Sequence, residues 1–168
     1  MILVMVGSEI RPFTRLMTAV DEMAPCLGEP VIMQSGRAAP FPGRHTQCLG
    51  YLTYGHMHRL VSQCRVLVGQ GSTGAVLMSR RYGKPLVFVP RDLARGETFD
   101  DHQYQTARAM EGRSRMVEVV YDVGGLEAAI RRAQAKADSG LTYEPDENRE
   151  RLLAAIRAAV EGRELPTG

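Results

Sequence analysis

The chain has 168 residues, 44% of them hydrophobic, with Lys+Arg 21 against Asp+Glu 19 and a formal net charge of +2 at pH 7. That is the length of one domain with one sizeable core, too short for two nucleotide-binding folds, and the charge is too balanced and scattered to argue for nucleic acid or an anionic membrane surface. Cys26, Cys48 and Cys64 are odd in number and widely spaced, suggesting neither a disulfide framework nor a zinc site; they read as reduced core or boundary residues.

Short apolar runs alternate with amphipathic stretches, which predicts an α/β domain with a mostly parallel sheet. Residues 2–6 form the first strand; no basic segment accompanies the run and Gly7, Ser8 and Glu9 end it, so it does not read as a signal peptide. No run approaches the length of a membrane span, and the expected location is the cytoplasm. Residues 12–26 form a helix with Pro12 near its start and Phe13, Leu16, Met17, Val20 and Met23 on one side. Residues 31–34 are the second strand. A loop rich in Gly and Pro over 35–44 leads to a weak strand at 47–52 and a short helix at 56–63. His56 and His58 lie two apart on that helix, so their rings diverge and a shared metal is not expected. Residues 65–68 are a buried strand and 75–82 a helix, with Gly69, Gly71, Gly74 and the hydroxyls of Ser72 and Thr73 between them. Gly83 stands where a left-handed cap is favoured, 86–89 is the next strand, and 91–99 is a polar loop. A helix at 101–111, a strand at 116–121 and a helix at 125–137 complete the domain, which spans 1–140. The remainder, 141–168, holds a linker marked by Pro145 and Asp146 and an amphipathic helix at 147–161 with Leu152, Leu153, Ile156, Ala159 and Val160 in one stripe. That helix is open to packing on its own sheet, to docking on a partner, or to self-association as a homodimer. Its mixed charges argue against an anionic-lipid surface.

Glycine lets the backbone turn sharply and approach a phosphate closely, and the first amides of a helix have no intrahelical partner. The 69–74 segment is therefore a candidate anion site; simple helix capping by Ser72 or Thr73 is the plainer alternative. Gly69-x-Gly71-x-x-Gly74 also fits a dinucleotide fingerprint, with Asp92 near the place of a ribose-binding acid, but that fingerprint normally joins the first strand to the first helix.

Beyond the strand at 86–89 stand Pro90-Arg91, Gly96-Glu97, Asp100-Asp101-His102-Gln103 and Thr106-Ala107. With the glycine turn, this order resembles the C-terminal, donor-binding domain of glycosyltransferase family 28. Within it the likeness is to the single-domain bacterial exopolysaccharide transferases and the small catalytic subunit of the dolichol-linked N-acetylglucosaminyltransferase. It covers residues 2–130 and is strongest over 66–107. The resemblance implies one half of a GT-B glycosyltransferase, a Rossmann-like sheet of about six strands flanked by helices. It implies that Gly71, Ser72, Thr73 and Gly74 hold the diphosphate of a UDP-sugar, and that Asp101, His102 and Gln103 read the sugar. It further implies main-chain contacts from Leu52 and Thr53 to the base, and contacts from Gly7, Ser8 and Arg91 to donor or acceptor. His102 is the candidate acid or base. Each has a plainer reading: a capping-box variant for Asp100 with Gln103, helix-dipole service for Asp101, an ordinary turn for Gly7-Ser8, a solvated surface for Arg91.

Two positions depart from the family pattern. Gln70 stands where relatives often carry histidine, and Met78 where many carry a ribose-binding glutamate; Met78 reads most simply as a core residue. The implied function is the donor-binding subunit of an inverting transferase that moves a sugar to a lipid-linked acceptor in polysaccharide synthesis. It would need no metal or cofactor, would bind no nucleic acid, and would sit at the membrane through a membrane-anchored, acceptor-binding partner. The alternatives are an NAD(P)- or other nucleotide-binding module and a non-catalytic scaffold of the same fold.

Overall fold

The apolar runs become six strands: β1 (Ile2–Met5), β2 (Val31–Gln34), β3 (Gln47–Leu49), β4 (Val66–Gln70), β5 (Leu86–Val89) and β6 (Val117–Val119). In the computed structural model, which describes residues 1–38 and 40–144, they form one parallel sheet in the order β3-β2-β1-β4-β5-β6. The helix expected at 147–161 lies outside the described residues. Along β1 successive side chains serve two cores, Ile2 and Val4 on one face of the sheet and Leu3 and Met5 on the other. A strand covered on both faces needs apolar residues at every position, which explains the unbroken run. Helices α1 (Thr14–Met23) and α5 (Leu126–Asp138) cover the first face with Leu16, Met17, Val20, Leu126 and Ile130. Helices α2 (Tyr54–Gln63), α3 (Thr73–Tyr82) and α4 (His102–Met110) cover the second with Met57, Val61, Ala75 and Ala107, and Met78 packs against that core.

The expected elements are all present in the described chain, with shifted ends. Helix α2 begins two residues earlier than expected because the Thr53 Oγ1 accepts from the His56 amide at 3.4 Å. The helix expected over 12–26 is α1 plus a 3₁₀ turn, Ala24–Cys26, where Pro25 cannot continue the ladder. Strands β3 and β6, at the two edges, are shorter than the apolar pattern suggested.

Asp21, only 6% exposed, ties α1 to the chain before β3. Its carboxylate accepts from the amides of Arg44 and His45 and, at 2.6 Å, from the Thr46 hydroxyl. Burial works to raise the Asp21 carboxyl, but the Thr46 hydroxyl and the two amides outweigh it and hold the group below its ordinary value. Glu29 and Glu118 are also held low, burial being outweighed by the N-terminus and Gln134 for one and by Lys136 and Arg132 for the other. A carboxylate depressed in the folded state stabilises above its unfolded value and stops doing so as pH falls through the folded one. Stability from urea titrations is therefore expected to be level from neutral pH to about 5 and to fall below about 4. Asp21→Ala is expected to cost about 2–3 kcal/mol at pH 7, and its deficit should narrow toward about pH 3. A constant deficit across that range would count against the ionised group.

Candidate functional site

Strand β4 runs on through Gly69 and Gln70, so the turn into α3 is only Gly71 and Ser72. The three glycines consequently do different things. A Cβ on Gly69 would lie 2.8 Å from the Ala75 Cβ, so its absence lets α3 pack close to the sheet. A Cβ on Gly71 would lie 2.8 Å from the Gln103 Cβ and 3.1 Å from its Oε1, so the turn and the start of α4 touch there. At Gly74 the only atom within 4 Å of such a Cβ is the Ser72 Oγ at 3.8 Å, and the space is open. Ser72 does cap α3: its Oγ accepts from the Ala75 amide at 3.4 Å and its carbonyl from Ala75 and Val76. Capping and anion binding are compatible, because the amides of Thr73 and Gly74 lack an intrahelical acceptor and both residues are exposed. No acidic residue occupies the first turn of α3 to compete for its positive end.

That helix start lies beside the point where the sheet order reverses. From β1 the chain adds β2 and β3 on one side and then β4, β5 and β6 on the other, and open α/β sheets bind ligands at the carboxyl ends flanking such a point. Gly7 follows β1 there with φ +79, a conformation that favours glycine. Its neighbours leave no room for a side chain either. A Cβ would sit 2.1 Å from the Gln70 Nε2, and one on Gly36 would sit 2.2 Å from the Gly7 carbonyl oxygen. Gln34, 2% exposed, donates through Nε2 to that same carbonyl at 2.9 Å. Ser8, next to Gly7, is exposed.

Arg91 is not on the surface, nor is it turned to the crevice: it is 1% exposed. Its Nε donates to the Gln70 Oε1 at 2.6 Å, Nη2 to the Val6 carbonyl, and Nη1 to the carbonyls of Arg11, Pro12 and Glu97. Its Cζ lies 4.6 Å from the Phe13 ring centroid. Burial pushes the guanidinium down to about 10 against the pull of Glu9 and Glu97, so it remains charged at neutral pH. Every group that could have met a phosphate is turned inward. The expected polar loop is likewise a scaffold. Glu97 pairs with Arg15 through both oxygens at 3.0 and 2.9 Å and also accepts from the Asp92 amide. Asp92 caps a 3₁₀ turn, Leu93–Arg95, by accepting from the Ala94 amide.

Gln103 does not complete a capping box. Its Oε1 accepts from the Arg91 amide at 3.0 Å, while Asp100 accepts from the His102 amide and from its ring Nδ1 at 3.2 and 3.0 Å. The His102 side chain is 77% exposed on the rim. Asp101 accepts from the Gln105 side chain at 2.8 Å. The structure thus joins Gly71 to Gln103, Gln103 to Arg91, Arg91 to Gln70 and Gln70 to Gly7, with His102 and Asp101 alongside. Thr53 is engaged in capping α2, and Leu52 packs on the second core. Two residues were not foreseen as parts of the site, Gln34 and Arg15; the acid six residues after Arg91 is the one hint that basic partners meet there. The concavity of about 420 Å³ lined by Arg115, Lys136 and Leu141 lies away from the point of reversal, beside the edge strand β6, and its Lys136 is engaged by Glu118.

Sheet order, the helix start at the reversal and the α4 cluster beside it define a Rossmann-like domain of the kind found as one half of GT-B glycosyltransferases. The chain belongs to the glycosyltransferase family 28 C-terminal domain family, whose model matches residues 1–158. The family and the fold make it a transferase domain of the donor-binding type. It is similar in structure to ALG13, with a TM-score of 0.56 and 20% identity over 90% of this chain and 94% of that one. It is also similar to the spinosyn forosaminyltransferase SpnP, with a TM-score of 0.53 and 17% identity over 80% of this chain. The chain spans 34% of the length of SpnP. No curated protein sequence matches it. Among the described residues no helix is long and apolar enough to cross a membrane.

Proposed function

We propose that the chain is the donor-binding, catalytic subunit of an inverting glycosyltransferase that moves a sugar from a UDP-sugar to a lipid-linked acceptor in polysaccharide synthesis. The observation that carries this reading is the uncontested start of α3 at the sheet reversal, in contact with the α4 cluster through Gly71 and Gln103. A diphosphate leaving group gathers negative charge as the anomeric bond breaks, and the amides of Thr73 and Gly74 with the Ser72 and Thr73 hydroxyls are preorganised to receive it. The acceptor hydroxyl attacks the anomeric carbon from the opposite side, inverting it and giving up its proton to a base. His102, exposed and oriented by Asp100, is the group of this chain suited to that proton. Asp101 and Gln103 are suited to the sugar hydroxyls, and the main chain at Leu52 and Thr53 to the base. A membrane-anchored partner would bring the acceptor, holding this chain at the cytoplasmic membrane face.

Calorimetry with UDP, ADP and NAD tests the donor. UDP is expected to bind in preference to the other two; no heat with UDP would sink the reading, and preference for NAD would favour a nicotinamide module. Transfer from labelled UDP-sugars is expected only when a membrane fraction is added. UDP binding with no transfer under either condition would leave a non-catalytic scaffold.

A further inference from the structure

Two carboxamides border the crevice, and Arg91 holds both. The Gln70 Oε1 accepts from the guanidinium Nε at 2.6 Å and the Gln103 Oε1 from the Arg91 backbone amide at 3.0 Å. A glutamine amide can usually be reversed, because its oxygen and nitrogen are nearly the same size and one accepts where the other donates. Here neither can. A guanidinium and a backbone N–H are donors only, so each must face an oxygen. Each Nε2 is thereby left as the outer end of its amide, without an acceptor among the described residues; that of Gln70 lies over Gly7. Arg91 is itself fixed by the carbonyls of Val6, Arg11, Pro12 and Glu97, which come from the β1 end, the start of α1 and the β5–α4 loop.

We propose that Arg91 is a positioning residue that sets the polarity of the crevice, locking the amides of Gln70 and Gln103 so that both offer N–H donors, beside the open helix start, to an oxygen-rich anionic ligand. This rests on the proposed function only in expecting that the anion is a diphosphate. It gives the buried charge a role at the site without any contact to ligand. Neutral donors do this work at any pH, and they add no charge that would hold a product back.

Arg91→Met could simply unfold, so the decisive variants are Gln70→Glu and Gln103→Glu. Each keeps the oxygen that Arg91 needs and turns the outer N–H donor into an acceptor. Titrations with UDP and with pyrophosphate at about 0.5 M salt, where the screening length is near 4 Å, remove long-range repulsion from the comparison. For Gln70→Glu the expected result is a melting temperature at or above that of the parent and an affinity for both ligands at least tenfold weaker. Gln103→Glu should melt likewise and lose at least tenfold affinity for UDP-sugars, the ligands whose hydroxyls its amide would meet. Affinities within twofold of the parent in both variants would overturn the proposal, since a merely structural Arg91 would tolerate glutamate. Parent binding of pyrophosphate without UDP, with the tenfold loss in Gln70→Glu, would sustain the polarity proposal and remove the nucleotide reading. Parent binding of UDP with unchanged variants would do the reverse, and no binding of either ligand by the parent would overturn both.

Discussion

Thr73→Pro is expected to weaken diphosphate binding by at least about tenfold while leaving the fold intact. Thr73 is the first residue of α3, a position where proline is favoured because the N–H it lacks has no intrahelical acceptor. The residue before it must also accept a proline, and Ser72 already has an extended backbone, φ −107 and ψ 146. The substitution therefore removes one amide donor and one hydroxyl from the anion site with little structural penalty. A charge-assisted hydrogen bond is worth about 1.5–3 kcal/mol, so the loss of the amide alone should weaken UDP binding by about tenfold to a hundredfold, before the hydroxyl is counted. The check is calorimetry with UDP alongside a thermal melt. A variant that melts with the parent and binds as tightly would show that the α3 start is not the diphosphate site.

Arg91→Met is expected to give the largest loss of stability of any single change in the β5–α4 loop. The guanidinium supplies five oxygens, those of Gln70, Val6, Arg11, Pro12 and Glu97, and methionine supplies none of them. Unsatisfied buried acceptors cost about 1–3 kcal/mol each, relieved in part by water and by no longer burying a charge; about 3–5 kcal/mol is the expected total. Urea unfolding measures it, and Arg91→Lys should recover only part, since an ammonium cannot reproduce the planar fork. A loss below about 1 kcal/mol would mean that water reaches those oxygens in the variant.

The contrast between these two residues shows what the sequence could tell. The α3 start was legible because everything that makes it is local: glycines, hydroxyls, a strand before and a helix after. The sheet followed from apolar runs for the same reason, with errors confined to ends, where a cap such as Thr53 decides the boundary. Arg91 was not legible. Its partners lie from 6 to 85 residues away, and neither periodicity nor propensity marks an arginine that will be buried. The motif order that carried the family resemblance was right, yet Arg91 and Glu97 within it hold the loop and do not face the crevice. Gln70, noted as a departure from relatives, turned out to be the oxygen that Arg91 requires. A departure at one position can be read only with its contact in hand.

Those long sequence separations also bear on the order in which the molecule forms. A guanidinium is well solvated in the unfolded chain and gains nothing by leaving water until its acceptors are gathered, and gathering them means closing loops of about 80 residues. The β1–β4 pairing must precede it. The Arg91 cluster beside the crevice is therefore expected to assemble late in folding, after the sheet has formed.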